Sequence, residues 1–160
     1  MIDTSDILLV LGAGIIFSLI ALNTNRLLIS QEETQMEADL LYGGMAKAQE
    51  FIDHARLLAY DETTVVGGGP YSIPGGFTAP GDLGNSVDND AGSAFDDFDD
   101  YHGFSITDTT QNCIYNVNTE VHYSNPNTPD TDAGARTLYK TLTVTVTSPF
   151  FPDSIRLKYV

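Results

Sequence analysis

The sequence predicts an α+β protein in which a long N-terminal α-helix packs on an antiparallel β-sheet head. Two observations predict this fold class. An uncharged apolar stretch, residues 7–25, continues without a break into an amphipathic helical pattern, and three segments of the C-terminal half alternate apolar and polar residues. Because an amphipathic helix and a one-faced sheet bury each other's apolar sides, one architecture satisfies both patterns. A chain of 160 residues suits a single head of this kind.

The N-terminal segment has the composition and length of a membrane-spanning helix. Residues 7–25 read ILLVLGAGIIFSLIALNTN and contain no charged side chain. As an α-helix they would extend over about 28 Å, close to the ~30 Å thickness of a bilayer's hydrocarbon core. We therefore predict a hydrophobic N-terminal helix over residues 1–26.

The following segment, residues 27–62, has the pattern of an amphipathic helix that prolongs the first. Apolar residues recur at spacings of three and four, and most charged residues lie off this stripe. The prediction is a single helix of about 55 residues, roughly 80 Å long, whose second half carries one apolar face. The residues predicted to form the seam between helix and head are Leu41, Met45, Ala48, Ile52, Ala55 and Ala59.

Four glycines interrupt the predicted helix: Gly12, Gly14, Gly43 and Gly44. Each lowers helix stability by up to about 1 kcal/mol relative to alanine, so each needs a compensating role. Two roles stay open at the level of sequence. The glycines permit close packing against a neighbour, or they permit local bending during assembly.

The remainder, residues 63–160, predicts a head domain of loops followed by strands. Residues 67–86 are dense in glycine and proline, which supply turns. Residues 113–123, 137–148 and 154–160 alternate apolar and polar side chains, as half-buried strands do. We predict an antiparallel meander that packs on the helix. Its predicted inward residues are Cys113, Tyr115, Val117, Thr119, Val121, Tyr123, Leu138, Leu142, Val144, Val146, Ile155, Leu157 and Tyr159.

Composition excludes several classes of function. Lys plus Arg number 7 and Asp plus Glu number 22, a formal net charge of −15 at pH 7, so nucleic acid is not an expected partner. The single cysteine, Cys113, excludes an intrachain disulfide and a cysteine-based zinc site. The sequence contains no HExxH, Gly-x-Ser-x-Gly or phosphate-binding loop pattern. We therefore expect no enzymatic activity, and no cofactor apart from the calcium ion considered next.

The acidic run that ends at residue 100 offers candidate calcium ligands, because Ca²⁺ takes six to eight oxygen ligands. The stretch Asp88-Asn89-Asp90 begins like a calcium-binding loop, but Gly92 falls one position early and no glutamate closes the loop. The alternative, which we favour, is a solvated acidic loop whose side chains bond to nearby backbone. The candidate ligands are Asp88, Asp90, Asp96, Asp97, Asp99 and Asp100.

Three further segments follow the apolar start in a fixed order. They are MAKAQEFIDHARLLAYDE from Met45, FDDFDDYHGF from Phe95 and KTLTVTVTSPFFPDSIRLKYV from Lys140. In sequence and in order they resemble the type IV pilin and pseudopilin families. The resemblance implies the long helix and the antiparallel head sheet. It also implies the structural subunit of an extracellular, type IV pilus-like filament, a helical homopolymer that the pilus assembly machinery builds from an inner-membrane pool.

The resemblance gives the apolar helix a second role. On extraction from the membrane, the helices of many subunits bundle into the filament core and the heads coat the outside. The residues expected to pack in that core are Ile7, Leu8, Leu11, Gly12, Gly14, Ile15, Ile16, Leu19 and Leu22.

The start of the helix departs from the family pattern. The family carries glutamate at the fifth mature position, where it pairs with the N-terminal amine of a neighbouring subunit, but this chain has Ser5. Asp6, or else Asp3, is the candidate for that role, because a carboxylate in apolar packing needs a cationic partner. Alternatively, both aspartates cap the helix and complement its dipole. A leader peptide of the family's kind is not visible before Met1, so the mature N-terminus stays open.

Two alternative functions remain. Within the same class, the chain is a minor pilin or secretion pseudopilin, which primes or tips a filament. From another class, it is a single-pass, membrane-anchored surface domain that binds a ligand and never polymerises. The unbroken continuation from apolar to amphipathic helix favours the filament subunit, since a simple anchor has no need of it.

Overall fold

The chain divides into two compact units, Met1–Asp39 and Leu40–Val160. The first unit belongs to one long α-helix. The second unit, called the head below, contains the end of that helix and a four-stranded antiparallel sheet. The predicted α+β class, with a helix packed on an antiparallel sheet, is therefore confirmed. The residues that the computed structural model describes are 3–65, 72–84, 95–110 and 113–160.

Helix α1 comprises Thr4–Ala55. No proline occurs before Pro70, so nothing in the sequence removes a backbone donor from the helical ladder. At its start the carbonyl of Asp3 accepts the backbone N–H groups of Asp6 and Ile7, at 3.0 and 3.4 Å. The helix therefore includes the whole predicted apolar segment.

The prediction that this helix reaches residue 62 is wrong, because α1 ends at Ala55. Just beyond it, two backbone N–H groups bond to carbonyls only three residues back, which tightens the last turn. Ala59 has left the helix, and its N–H and carbonyl groups pair with the segment 96–98 at N···O distances of 3.1 and 2.9 Å. A tertiary pairing thus replaces the last predicted helical turns. A short helix α2, Glu62–Val65, follows.

Four antiparallel strands form one sheet in the head. They are β1 (Ser105–Thr109), β2 (Ile114–Ser124), β3 (Tyr139–Thr147) and β4 (Ile155–Tyr159). Their order in the sheet is β1-β2-β3-β4, the predicted meander. In the register, Val117 lies opposite Val146, and Val144 lies opposite Leu157. Apolar residues of neighbouring strands therefore share the face toward α1.

The larger of two apolar clusters among the described residues lies between this face of the sheet and the end of α1. Buried and exposed residues alternate along β2, as the sequence pattern predicts for a half-buried strand. Removal of these side chains from water is the main favourable contribution to the stability of the head. The buried members of the core are Ala48, Ile52, Ala55, Phe98, Tyr101, Cys113, Tyr115, Val117, Val121, Leu142, Val144, Val146, Phe151 and Ile155.

Two glycines bring α1 close to the sheet. A Cβ atom at Gly44 would lie 2.5 Å from Ile155 Cδ1, and one at Gly43 would overlap the Tyr115 hydroxyl group. That hydroxyl donates a hydrogen bond to the carbonyl of Leu40, at 3.1 Å. Close packing therefore accounts for these two glycines, without any need for a bend in the helix.

The inward face of the sheet differs from the prediction at its margin. Leu138 precedes β3 and is 58% exposed, and Tyr159 is 37% exposed. Lys140, which shares its face of β3 with the buried valines, is itself buried. On the opposite face Thr141 is also buried, because its hydroxyl donates to the Pro129 carbonyl of the preceding connection, at 2.9 Å.

Candidate functional site

The first unit presents an apolar surface that no described residue of this unit covers. By length and composition α1 contains a segment able to cross a membrane, and none of that segment is buried. We call residues 7–29 the apolar segment. Contiguous apolar surface of this extent is rare on soluble monomers and marks a membrane or protein contact. Its exposed large side chains are Ile7, Leu8, Leu9, Val10, Leu11, Ile15, Ile16, Phe17, Leu19, Ile20, Leu22, Leu27, Leu28 and Ile29.

The seven large residues that we predicted to pack in the filament core all belong to this exposed set. The two predicted glycines, Gly12 and Gly14, behave unlike those of the head. A Cβ atom built at either position meets no described atom within 4 Å. No intramolecular contact in the described residues therefore calls for a glycine at these positions.

Two hydroxyl groups of the apolar segment are hydrogen-bonded within the helix itself. The hydroxyl groups of Ser18 and Thr24 donate to the carbonyls of Gly14 and Ile20, at 2.8 and 3.0 Å. A hydroxyl group satisfied within its own helix can face lipid or another helix without losing a hydrogen bond.

The two candidate partners of an N-terminal amine lie at the start of α1. Asp3 and Asp6 are both exposed, and Asp6 lies in the first helical turn. A negative charge at this end complements the helix dipole, as the alternative interpretation requires. The position equally leaves both carboxylates accessible to a neighbouring chain, so the choice between the two roles stays open.

Some, but not all, of the residues predicted to form the seam between helix and head are buried together. Ala48, Ile52 and Ala55 are buried in the core, and Leu41 packs against it half-buried. Met45 is 45% exposed. Ala59 lies beyond the helix in the pairing described above. The buried line along α1 passes through Gly44, Ala48, Ile52 and Ala55, which places Met45 to one side of it.

The head also contains a buried ionic centre that sequence reasoning missed. Lys140 and two carboxylates, Asp61 and Asp99, have side chains at most 1% exposed. Lys140 Nζ donates to Asp61 Oδ2 at 2.9 Å, to the Tyr60 carbonyl at 2.8 Å, and to Asp99 Oδ1. The rings of Tyr60 and Tyr123 lie 4.6 and 5.3 Å from the ammonium nitrogen, so aromatic faces complete its surroundings.

Asp61 is the best-satisfied carboxylate of this centre. Besides Lys140, it accepts hydrogen bonds from the backbone N–H and the hydroxyl of Thr63 and from the same two groups of Thr78. Burial raises its pKa, but the Lys140 charge and these hydrogen bonds outweigh burial and hold the pKa below its usual value. Asp61 is therefore ionised at neutral pH.

The acidic run 96–100 is not the solvated loop that we favoured. Asp97, Asp99 and Asp100 are buried, with Asp99 and Asp100 in a 3-10 turn, Asp99–Tyr101. The predicted hydrogen bonds to nearby backbone are present: Asp97 Oδ1 accepts the N–H groups of Asp99 and Asp100 at 2.8 and 3.1 Å. These bonds, together with Lys140, compensate part of the cost of removing the carboxylates from water.

The compensation is incomplete. Asp97 Oδ2, Asp99 Oδ2 and Asp100 Oδ1 are buried with no hydrogen-bond partner among the described residues. Burial, together with the charge of Asp99, raises the pKa of Asp97 to about 8. Burial also raises the pKa of Asp99, against the opposing effect of Lys140. The Asp97 carboxyl group therefore holds a proton more tightly than an exposed aspartate does.

The calcium site stays a prediction. Asp88 and Asp90 lie outside the described residues. Within the part of the chain that the structure describes, no group of three or more His, Cys, Asp or Glu side chains is arranged to hold a metal ion. The side chains of Asp97, Asp99 and Asp100 accept hydrogen bonds from backbone N–H groups and from Lys140.

One signal could have revealed the ionic centre. In the alternating pattern of β3, Lys140 shares its face with Leu142, Val144 and Val146, all of which are inward. A lysine on an inward face requires a carboxylate partner. The dense acidic run supplied candidates, but the sequence does not show which of them reaches β3.

Comparison of the chain with protein-family models, with curated proteins and with solved structures finds no match. The class of protein must therefore be argued from the apolar segment and the head themselves.

Proposed function

We propose that this chain is the structural subunit of an extracellular, type IV pilus-like helical filament, and that it polymerises through the apolar segment of α1. One observation carries the proposal: every large apolar side chain from Ile7 to Leu22 is exposed. Leaving a side chain of this size in water instead of burying it costs about 1.5–3 kcal/mol. The segment therefore requires lipid or other helices around it.

The two environments would be used in succession. In the inner-membrane pool, lipid surrounds the apolar segment. In the filament, helices from other copies replace lipid, and association then depends on close packing, because lipid tails are as apolar as leucine. Gly12 and Gly14 support this step, since they allow neighbouring backbones to approach closely and a Cβ atom at either would meet no described atom.

The heads would form the outer surface of the filament. Most of the acidic residues behind the chain's formal net charge of −15 lie in the head, and their charge keeps such a surface hydrated. Contacts between successive subunits must be heterologous, because identical patches facing each other would close a dimer and stop growth. At the start of α1, Asp6 or Asp3 would pair with the N-terminal amine of a neighbouring subunit, which gives each new subunit an electrostatic register.

The first experiment is electron microscopy of material sheared from the producing cells, with mass spectrometry of its main protein. Thin filaments composed chiefly of this chain are the expected result, and the same spectra identify the mature N-terminus. If the chain stays in the membrane fraction, the major-subunit proposal is wrong. A minor pilin or secretion pseudopilin, or a membrane-anchored binding domain, would then be the better explanation.

A charged substitution in the apolar segment tests the mechanism of assembly. Ile16→Asp introduces a carboxylate at an exposed position of the segment, and we expect loss of filaments, because each buried copy would carry an unpaired charge. Leu57→Asp is the matched control, since Leu57 is 82% exposed in the head. Normal filaments from the Ile16→Asp chain, at the yield of the control, would contradict polymerisation through this segment.

A further inference from the structure

The buried ionic centre holds an amine and a carboxyl group together where water has no access. Lys140 Nζ contacts Asp99 Oδ1, and both side chains are at most 1% exposed. An amine and a carboxyl group are the reactants of amide formation. Two features favour that reaction: reactants held in contact gain the advantage of an intramolecular process, and a dry site prevents competing hydrolysis.

We propose that Lys140 and Asp99 become joined by an intramolecular amide bond, formed by the head itself without an external enzyme. The bond would tie the first part of β3 to the 3-10 turn that contains Asp99. This inference does not depend on polymerisation, because every residue it uses lies in the head.

Asp97 is placed to act as the acid of this reaction. It lies two residues before Asp99, whose backbone N–H it binds at 2.8 Å, and the charge of Asp99 acts on its carboxyl group. Its Oδ1 is fixed by the N–H groups of Asp99 and Asp100, and its Oδ2 has no partner among the described residues. With a pKa raised to about 8, chiefly by burial, Asp97 holds a proton that it can donate to an Asp99 oxygen. Donation makes the Asp99 carbonyl carbon more electrophilic.

Asp61 is placed to act as the base. Its Oδ2 lies 2.9 Å from Lys140 Nζ, within reach of an ammonium proton. The hydrogen bonds from Thr63 and Thr78 orient the carboxylate and keep it ionised. Loss of one proton to Asp61 leaves Lys140 as a neutral amine with a free electron pair.

The steps balance without any oxidant or co-reactant. Asp61 takes one proton from the Lys140 ammonium, and the freed electron pair forms a bond to Asp99 Cγ while Asp97 protonates an Asp99 oxygen. The nitrogen then returns a proton to Asp97. Asp61 gives its proton to the departing hydroxyl, the carbon–oxygen bond breaks, and one water molecule leaves. The ammonium and carboxylate become an amide plus water, and Asp61 and Asp97 regain their starting states.

The product relieves the polar imbalance of the centre. Two buried charges, those of Lys140 and Asp99, disappear, and the charge that remains belongs to the well-bonded Asp61. The unpartnered Asp99 oxygen becomes an amide oxygen that can accept the Asp97 proton, and the new N–H can donate to Asp61. Removal of buried charges and of unpaired acceptors favours the amide over the ion pair.

Peptide mapping of the purified full-length protein tests this directly. After denaturation, trypsin cleaves the chain after Arg136 in every case. It cleaves after Lys140 only if the side chain of this lysine is free, because trypsin does not cleave after an acylated lysine. We expect peptide 137–156 joined to peptide 57–136, with a mass lower than their sum by one water molecule. Complete recovery of linear peptide 137–140 would overturn the proposal. A link located by fragment ions at Asp61 instead of Asp99 would overturn the assignment.

Three variants assign the roles by the same mapping. Lys140→Arg removes the nucleophile, and we expect linear peptides alone. Asp97→Asn keeps both reactants but removes the acidic proton, and we expect loss of most of the linked peptide. Asp153→Asn changes an exposed aspartate outside the centre and should leave the link complete. Full linkage in Asp97→Asn would show that Asp97 is not the acid. The wild-type map decides the existence of the bond even if a variant folds poorly.

Discussion

The two ends of α1 are both apolar, yet they stand in opposite relations to the rest of their own unit. In the apolar segment, residues 7–29, large side chains are exposed. Near the C-terminal end, small side chains such as Ala48 and Ala55 are fully buried against a sheet. The difference arises because the head supplies a complementary apolar face and the first unit does not. An apolar helix thus reveals that it needs a partner, but not whether that partner belongs to the same chain.

The glycines sharpen this comparison. At Gly43 and Gly44 the space for a side chain is occupied by groups from the sheet, whereas at Gly12 and Gly14 it is open among the described residues. Under the proposed function, the second pair serves the same purpose between chains that the first pair serves within one. The same substitution in the two regions should therefore have different consequences.

The largest expected effect comes from removing the one cation of the head's buried centre. Lys140→Met removes the countercharge of Asp61 and Asp99 and, in chains where the proposed amide bond has formed, that bond as well. We expect a loss of at least about 3–5 kcal/mol in the free energy of unfolding. Urea unfolding of the full-length protein in detergent, followed by the near-ultraviolet signal of the head tyrosines, measures this loss. Lys158→Met is the matched control, because its ion pair with Asp130 is exposed and solvent screening makes its contribution to stability small. Equal losses in both variants would contradict the structural importance of the centre.

A smaller effect is expected from alanine at the glycines of α1. Gly43→Ala forces the Tyr115 hydroxyl away from the Leu40 carbonyl, and overpacking of this kind costs about 1–3 kcal/mol. Gly12→Ala meets no described atom and should leave the unfolding of the head unchanged, while it lowers the yield of filaments if neighbouring helices pack there. Destabilisation of the head by Gly12→Ala would contradict the conclusion that the glycines of the two regions have different roles.

The most gradual effect is expected from pH, because it is spread over several pH units. Burial holds the pKa of Asp97 at about 8, far above the value of about 4 expected in the unfolded chain. The folded head therefore binds this proton more tightly. The stability that Asp97 contributes is complete below pH ~4 and is lost as pH rises toward about 8, with a slope of at most about 1.4 kcal/mol per pH unit.

Asp97→Asn removes this titration and keeps the shape of the side chain. Urea unfolding of wild type and variant between pH 5 and 8 should show a flatter dependence on pH in the variant. The lowered pKa of Asp61 acts in the opposite sense, since its contribution is present above the ordinary aspartate pKa and is lost in acid. Identical pH profiles for the two proteins would show that Asp97 does not titrate in this range.

Much of the fold could be read from local pattern. The alternation along β2 predicted its burial because successive side chains of a strand point to opposite faces. The helix was predicted from its apolar spacing, but its end was not. Ala59 has good helical propensity, and its removal from the helix depends on pairing with residues 96–98, which are distant in sequence. Element ends of this kind are decided by partners that a local pattern does not contain.

The sequence by itself determined the class of the protein, an apolar helix that runs into an amphipathic one and an acidic antiparallel head. These features depend on periodicity and composition, which are local properties. Only the tertiary structure decided that Asp97, Asp99 and Asp100 are buried and that Asp99 and Asp61 meet at Lys140. The physical reason is that a charged side chain is stable in the interior only beside a partner of opposite charge. Which residue becomes that partner depends on contacts between segments that are distant in sequence.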